Sequence, residues 1–280
     1  MATALIVEDD RDQAEVVMHL LRGMDLIPMH AETGAEALRM AAQERPTVII
    51  LDLMLPDIDG FEVCRRLRAD AATLATHIVM LTALGEAMHR HRGLRVGANA
   101  YLSKPYDPED LRAALAGARA WEARLRGQHV RGEIVVEFQS VSRFLQEVNE
   151  FLGEVCRGTP MAAEQAGRLR HAVMELGMNA IEWGNKYRPE AVVTLLYRAY
   201  DDRVEVAILD EGPGFDREAL PHAASGDDPT AHMDVREALG LREGGFGMMI
   251  SRGLVDDLRY NDAGNEVTLT VRFDAAAPGP

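Results

Sequence analysis

The chain has 280 residues and a mass of 30.8 kDa, a length that fits two domains of roughly 130–150 residues better than one. A hydrophobic share of 47% with 27% charged residues supports packed cores and excludes a disordered chain. The net charge is −15, with −4 in residues 1–130 and −11 in the remainder, so neither half offers the clustered Lys and Arg that a nucleic-acid backbone requires.

From its start the chain runs through apolar Ala4–Val7 straight into Glu8, Asp9 and Asp10, which is not the basic-then-apolar pattern of a secretory signal. The longest apolar stretch, Thr47–Leu55, is short and broken by Asp52, so it does not read as a membrane span. A soluble, cytoplasmic protein with no membrane or nucleic-acid partner is expected. Cys64 and Cys156 have no partners at metal-ligand spacing, and they read as small apolar fillers in a reducing compartment. Of the 30 basic residues only Lys104 and Lys186 are lysine.

Residues 1–125 alternate short apolar runs with amphipathic stretches. Ala4–Val7, Val48–Leu51 and Ile78–Leu81 read as buried strands; Ala14–Leu21, Gly34–Gln43, Phe61–Arg68 and Pro108–Arg126 read as helices. Alternation of this kind predicts a parallel sheet covered on both faces, with functional groups at the carboxyl ends of its strands. Glu8 and Asp9, Asp52, Thr82 and Lys104 all stand just past such runs. Converging carboxylates repel one another, and a hard divalent cation relieves the repulsion. Such a cation, with a lysine ammonium, can also neutralise an incoming phosphoryl group.

The segments Leu5-Ile-Val-Glu-Asp-Asp10, Asp52-Leu-Met-Leu-Pro-Asp-Ile-Asp-Gly-Phe61, Leu81-Thr-Ala83 and Tyr101-Leu-Ser-Lys-Pro105 together resemble the receiver domain of two-component response regulators. The resemblance implies a flavodoxin-like, doubly wound sheet of five parallel strands over residues 1–126. It implies that Asp52 accepts a phosphoryl group from an upstream histidine kinase, with Mg²⁺ on Glu8, Asp9, Asp52 and the backbone carbonyl of Met54. Thr82 and Lys104 would bind the phosphoryl oxygens, Tyr101 would be the aromatic that changes rotamer, and Lys104–Pro105 would be cis.

The helix from Pro108 continues through Leu111, Leu115, Ala118, Trp121 and Leu125, and Gly127 and Gly132 bracket a linker at 127–132. Its apolar positions suit docking on the receiver sheet, with a coupling or dimer contact as the alternative. Next come a strand-like Ile134–Phe138 and helical stretches near 140–156 and 161–184. Strand signals follow at Ala191–Tyr200, Val204–Leu209 and Glu266–Phe273, and blocks of this kind predict an α+β sandwich.

Three segments bear chemistry there. Glu175 and Asn179, four residues apart, share a helix face and can orient a nucleophile and hold Mg²⁺ beside a triphosphate. Asp210-Glu-Gly-Pro-Gly-Phe-Asp216 follows a strand and places an acceptor for an exocyclic amine beside a Gly turn. Gly244-Gly-Phe-Gly-Met-Met-Ile250 opens a helix where backbone N–H groups can approach phosphates. In this order they resemble the Bergerat ATP-binding fold of the GHKL superfamily over 133–274, and within it the anti-sigma-factor serine kinases. Glu175-Leu-Gly-Met-Asn-Ala-Ile-Glu-Trp-Gly-Asn-Lys-Tyr187 is similar to their asparagine box, with Trp183 where a histidine is common.

By that resemblance Glu175 is the general base, Asn179 ligands Mg²⁺ and Asp210 binds the adenine amine. Gly212 and Gly214 shape the base pocket, Gly245 and Gly247 wrap the phosphates, and Lys186 contacts a phosphate. The polar stretch 216–243 reads as an ATP lid, and 275–280 as a disordered tail. The cofactors implied are ATP and Mg²⁺. The implied partners are a STAS-type anti-sigma-factor antagonist as substrate and a sigma factor, with a homodimer left open. Two other readings stand beside the kinase: a nucleotide-dependent sequestering module without phosphotransfer, and an atypical histidine kinase using His171. His89 and His91, two apart, make a poor metal pair.

Overall fold

The computed structural model describes residues 2–83, 94–214, 251 and 253–273, and the chain divides into two compact units, residues 1–136 and 137–280. The expectations placed on His89, His91, residues 216–243, Gly245, Gly247 and 275–280 lie outside the described residues.

In the first unit, β1 (Thr3–Val7), β2 (Ile27–Ala31), β3 (Val48–Asp52), β4 (His77–Ala83) and β6 (Ala100–Lys104) form a parallel sheet in the order β2–β1–β3–β4–β6. Helices α1 (Arg11–Arg22), α2 (Gly34–Glu44), α3 (Gly60–Ala69) and α4 (Pro108–Gly127) connect and follow the strands. Alternation along each strand sorts the side chains to two faces. Leu5, Val7, Ile49, Leu51, Ile78 and Met80 pack with Ala37 and Ala41 of α2 and Val63, Cys64 and Leu67 of α3. Ala4, Ile6, Val48, Ile50, Val79 and Leu81 pack with Ala14, Val17 and Leu21 of α1 and Leu111 and Leu115 of α4. Docking on the sheet is therefore what the apolar positions of α4 do. Each large aliphatic side chain buried in this way contributes about 1.5–3 kcal/mol.

The ends of α3 and α4 are tied down by polar groups. Arg68, fully buried, donates to the carbonyls of Gly97 (2.6 Å), Leu74 (3.1 Å) and Thr76 (2.7 Å) and to Asn99 Oδ1 (2.7 Å). One turn earlier Cys64 Sγ donates to the Val96 carbonyl (3.3 Å), so α3 grips the turn between β5 (Leu94–Val96) and β6 twice. Both cysteines are buried and unpaired as disulfides, and burial raises both thiols, Cys64 to about 11 and Cys156 to about 12. Arg124 forms a bidentate pair with the buried Glu133 (2.7 and 3.0 Å), and the Gly97 N–H donates to the Val135 carbonyl (2.9 Å). These bonds fasten the first half of β7 (Gly132–Gln139) within the first unit.

In the second unit α5 (Ser142–Arg157) and α6 (Ala163–Asn179) lie against an antiparallel sheet of β8 (Val192–Ala199), β9 (Arg203–Asp210), β10 (Asp257–Tyr260) and β11 (Glu266–Arg272). The strand order is β10–β11–β9–β8–β7, with β5 beside the first-unit half of β7. Val193, Leu195, Tyr197, Val204, Val206, Ile208, Val267, Leu269 and Val271 alternate inward and are buried. Phe144, Leu145, Val148, Phe151 and Leu152 of α5 and Leu169, Val173 and Leu176 of α6 are buried in the same unit, giving the expected α+β arrangement. The helices meet at Gly177, where a Cβ would lie 2.5 Å from Leu145 Cδ1. The sequence predicts one helix over 161–184; the backbone instead leaves α geometry at Asn179 and makes a π-turn over Ala180–Gly184.

His77, 5% exposed, stacks edge-on to Trp121 (6.2 Å), and burial pushes its pKa down to about 4. The neutral ring then favours the folded state above pH 6.5, and that advantage falls away as pH drops from 6.5 through 4. We expect the first unit to lose roughly 2 kcal/mol between pH 7 and pH 5 from this group alone. Urea unfolding followed by Trp121 fluorescence in a Trp183→Phe background measures it, and His77→Gln should flatten that part of the slope.

Candidate functional site

The first site forms where the strand order reverses, between β1 and β3, at their carboxyl ends. Register sets Val7 beside Leu51, Asp52 beside Leu81 and Lys104 beside Ala83, so Glu8, Asp52, Thr82 and Lys104 share one edge of the sheet. Glu8, Asp52 and Thr82 are buried and Lys104 is half-buried. Lys104 Nζ donates to Glu8 Oε2 (2.6 Å), to Asp52 Oδ2 and to Gln13 Oε1 (3.0 Å). Burial, assisted by the charge of Asp52, raises the pKa of Glu8. Burial opposes the Lys104 charge, but the hydrogen bonds to Asp52 and Glu8 outweigh it and raise its pKa. The Lys104–Pro105 bond is cis, as the resemblance implies.

The other carboxylates of these motifs have structural duties. Asp10 caps α1, accepting from the N–H groups of Asp12 (2.9 Å) and Gln13 (3.1 Å), and the bonds from Gln13 lower its pKa. Asp57 accepts from the Gly34 (2.8 Å) and Ala35 (2.9 Å) N–H groups at the start of α2, and the Ala35 bond leads in lowering its pKa. Asp59 caps α3 through the Phe61 N–H (2.8 Å). Asp52 is left with Glu8 facing Lys104, and its Oδ1 accepts from the Met54 N–H (2.9 Å). Gln13, which sequence reading passed over, links the Asp10 cap to Lys104: its Nε2 donates to Asp10 (3.1 Å) while its Oε1 accepts from the ammonium.

Asp9 is exposed, and among the described residues no three Asp, Glu, His or Cys side chains form a ready metal cage. Two buried carboxylates sharing one ammonium nonetheless keep a residual negative charge on hard oxygen donors. That donor set fits a divalent cation such as Mg²⁺. Thr82 Oγ1 has no hydrogen-bond partner among the described residues, and Tyr101 is half-buried with the Arg95 guanidinium 5.5 Å from its ring centre.

The second site lies where the asparagine-box helix meets the end of β9. Glu175 and Asn179 are half-buried near the end of α6, and Lys186 is exposed in the turn beyond the π-segment. Gly184 touches the Asp210 carboxyl group so closely that a Cβ would fall 2.2 Å from Asp210 Cγ. A Cβ on Gly212 would fall 2.4 Å from the Gly184 carbonyl oxygen; Gly214, at φ +78°, has the Ala263 oxygen where its Cβ would go. Asp210 Oδ1 accepts from the Gly212 N–H (2.8 Å), and no described residue donates to Oδ2. Burial raises the pKa of Asp210 and the Gly212 bond opposes it. A half-buried carboxylate with one oxygen that no described residue bonds fits an exocyclic amine donor. His171 is exposed on α6 itself.

Residues 4–116 match the response regulator receiver domain, and residues 138–271 match the histidine kinase-like ATPase domain. The chain is a receiver domain fused to a histidine kinase-like ATPase domain. It is similar to the DNA-binding dual master transcriptional regulator RpaA of Synechocystis sp. (40% identity over 113 residues, 40% of this chain and 47% of that protein). It is also similar to the alkaline phosphatase synthesis transcriptional regulatory protein PhoP of Bacillus subtilis (34% over 140 residues, 47% of this chain and 57% of that protein). Among solved structures, the chemotaxis response regulator CheY4 of Vibrio cholerae matches with 32% identity and a TM-score of 0.38, covering 42% of this chain and 98% of that one. The chain spans about half the length of the curated relatives it matches. No helix among the described residues is long and apolar enough to cross a membrane.

Gly60 makes the receiver site sensitive to a single methyl group, because a Cβ there would lie 2.3 Å from the Asp52 carbonyl oxygen. Gly60→Ala is expected to cost the receiver domain about 1–3 kcal/mol. The loss should appear as a lower urea midpoint at an unchanged m-value; an unchanged midpoint contradicts the close approach.

Proposed function

We propose that phosphorylation of Asp52 by an upstream histidine kinase controls an ATP-dependent protein serine/threonine kinase, of the partner-switching type, in the ATPase domain. The observation that supports a separate protein substrate is the connection between the two domains. Only residues 128–131 separate α4 from β7, which leaves no room for the helical hairpin on which a histidine kinase presents its phosphoacceptor. The exposed His171 sits on the asparagine-box helix and is no substitute for that hairpin.

In the receiver, an Asp52 carboxylate oxygen attacks the phosphorus of the upstream kinase's phosphohistidine, the P–N bond breaks and the histidine leaves, while Lys104 and Thr82 take up the phosphoryl oxygens. Glu8, Asp9, Asp52 and the Met54 carbonyl would hold Mg²⁺, which would supply charge neutralisation there. In the ATPase domain, Asp210 accepts from the adenine amine, and Asn179 would hold the Mg²⁺ that accompanies the nucleotide. Lys186, Gly245 and Gly247 meet the phosphates. Glu175 takes the proton from a substrate hydroxyl as that oxygen bonds to the γ-phosphorus and ADP leaves. A small STAS-type anti-sigma-factor antagonist is the substrate, and a sigma factor is the second partner.

Glu175→Gln should abolish phosphoryl transfer to the partner while ATP still binds; retained transfer refutes Glu175 as the base. Incubation of the wild-type chain with γ-labelled ATP and Mg²⁺ should give bound nucleotide without covalent self-label. Label on His171 or Asp52 would favour a histidine kinase instead.

A further inference from the structure

We infer that Asn185 is the positioning residue of the nucleotide-base pocket: its buried amide fixes the turn that presents the Asp210 carboxylate, and so sets the site's preference for a purine with an exocyclic amine. The inference rests on the reading of Asp210 as the adenine-binding group.

Asn185 is fully buried, and both ends of its amide are used. Oδ1 accepts from the Glu211 N–H (2.8 Å), while Nδ2 donates to Ser140 Oγ (2.8 Å) and to the Val192 carbonyl (3.0 Å). Ser140 Oγ spends its own proton on the Ala191 carbonyl (2.9 Å), so it meets Asn185 as an acceptor. The Val192 carbonyl can only accept and the Glu211 N–H can only donate, which leaves one orientation for the amide. Asn185 thereby holds the peptide between Asp210 and Glu211. The next N–H along, that of Gly212, binds Asp210 Oδ1 (2.8 Å), so the chain of bonds runs from Ser140 and Val192 through Asn185 to the carboxylate.

The surroundings are built for this contact. The π-turn closes with the Asn185 N–H on the Ala180 carbonyl (2.8 Å), and the chain then turns through Lys186 and Tyr187, both at φ +53°. Two consecutive non-glycine residues in the left-handed region are costly and persist only where packing over-determines them. Their effect here is to follow an inward-facing Asn185 immediately with an exposed Lys186. Gly184 leaves the space that the Asp210 carboxyl group occupies. On the far side, Asn265 holds Asp210 itself, its carbonyl accepting from the Asp210 N–H (3.0 Å) and its Nδ2 donating to the Asp210 carbonyl (3.4 Å). Asn265 fixes where the strand ends; Asn185 fixes how the turn leaves it.

The test uses the full chain and two probes: ATP, and purine riboside triphosphate, which lacks the amine. Wild type should prefer ATP. Equal affinities would overturn the Asp210 reading itself, and this inference with it. Given a preference, Asn185→Ala should weaken ATP binding about tenfold or more and purine riboside triphosphate less than about twofold, collapsing the ratio. An equal loss for both probes marks a merely structural role and overturns the inference. Should Asn185→Ala not fold, Ser140→Ala decides: it removes one tether of the amide but keeps Oδ1, and should lower the ratio about threefold. A folded Ser140→Ala with the wild-type ratio overturns the inference.

Discussion

Two buried carboxylates, Glu8 and Asp52, held at the carboxyl end of a parallel sheet by a single ammonium, are the constraint around which the receiver domain is arranged. Burying like charges is costly unless they are paired and hydrogen-bonded. Lys104 supplies the pairing, and Gln13 and the Met54 N–H supply further bonds. The residual negative charge on these hard oxygen donors fits a divalent cation.

The packing serves that edge. The sheet is filled on both faces by Ile, Val and Leu, so its carboxyl edge is held by a close-packed frame in which even a glycine-to-alanine change beside Asp52 has no space. Acidic side chains around it are sorted by hydrogen bonding: Asp10, Asp57 and Asp59 satisfy orphan N–H groups at helix starts, and Asp52 pairs with Lys104. The ATPase domain repeats the device with fewer charges. Asp210 sits in a turn clamped by Asn185 and Asn265, with glycines wherever backbones come too close for a Cβ.

Much of this was legible in the sequence. Buried strands ending in Glu8, Asp52, Thr82 and Lys104 placed the first site, because parallel sheets expose function only at their carboxyl ends. The asparagine box and the Asp210 turn were both legible as motifs, and the fold brings them together at Gly184. Strand β2 was not legible, since Pro28 and a half-exposed Ile-Pro-Met-His-Ala run suit an edge strand that carries little pattern. The three-residue β5 and the four-residue β10 are too short to show a period. Arg68 looks like an ordinary polar position at a helix end; its burial depends on carbonyls from Gly97, Leu74 and Thr76, which no local pattern announces. Asn185 is hidden for the same reason, because its partners lie 7 to 45 residues away.

We propose that the phosphoryl state of Asp52 governs the nucleotide chemistry of the ATPase domain. The direct measurement is ATP turnover by the full chain, read as ADP released, before and after loading Asp52 from a small-molecule phosphodonor, with Asp52→Ala in parallel. A severalfold change in wild type, absent in the variant, is the predicted result. The same turnover in wild type with Asp52 demonstrably phosphorylated would contradict the account.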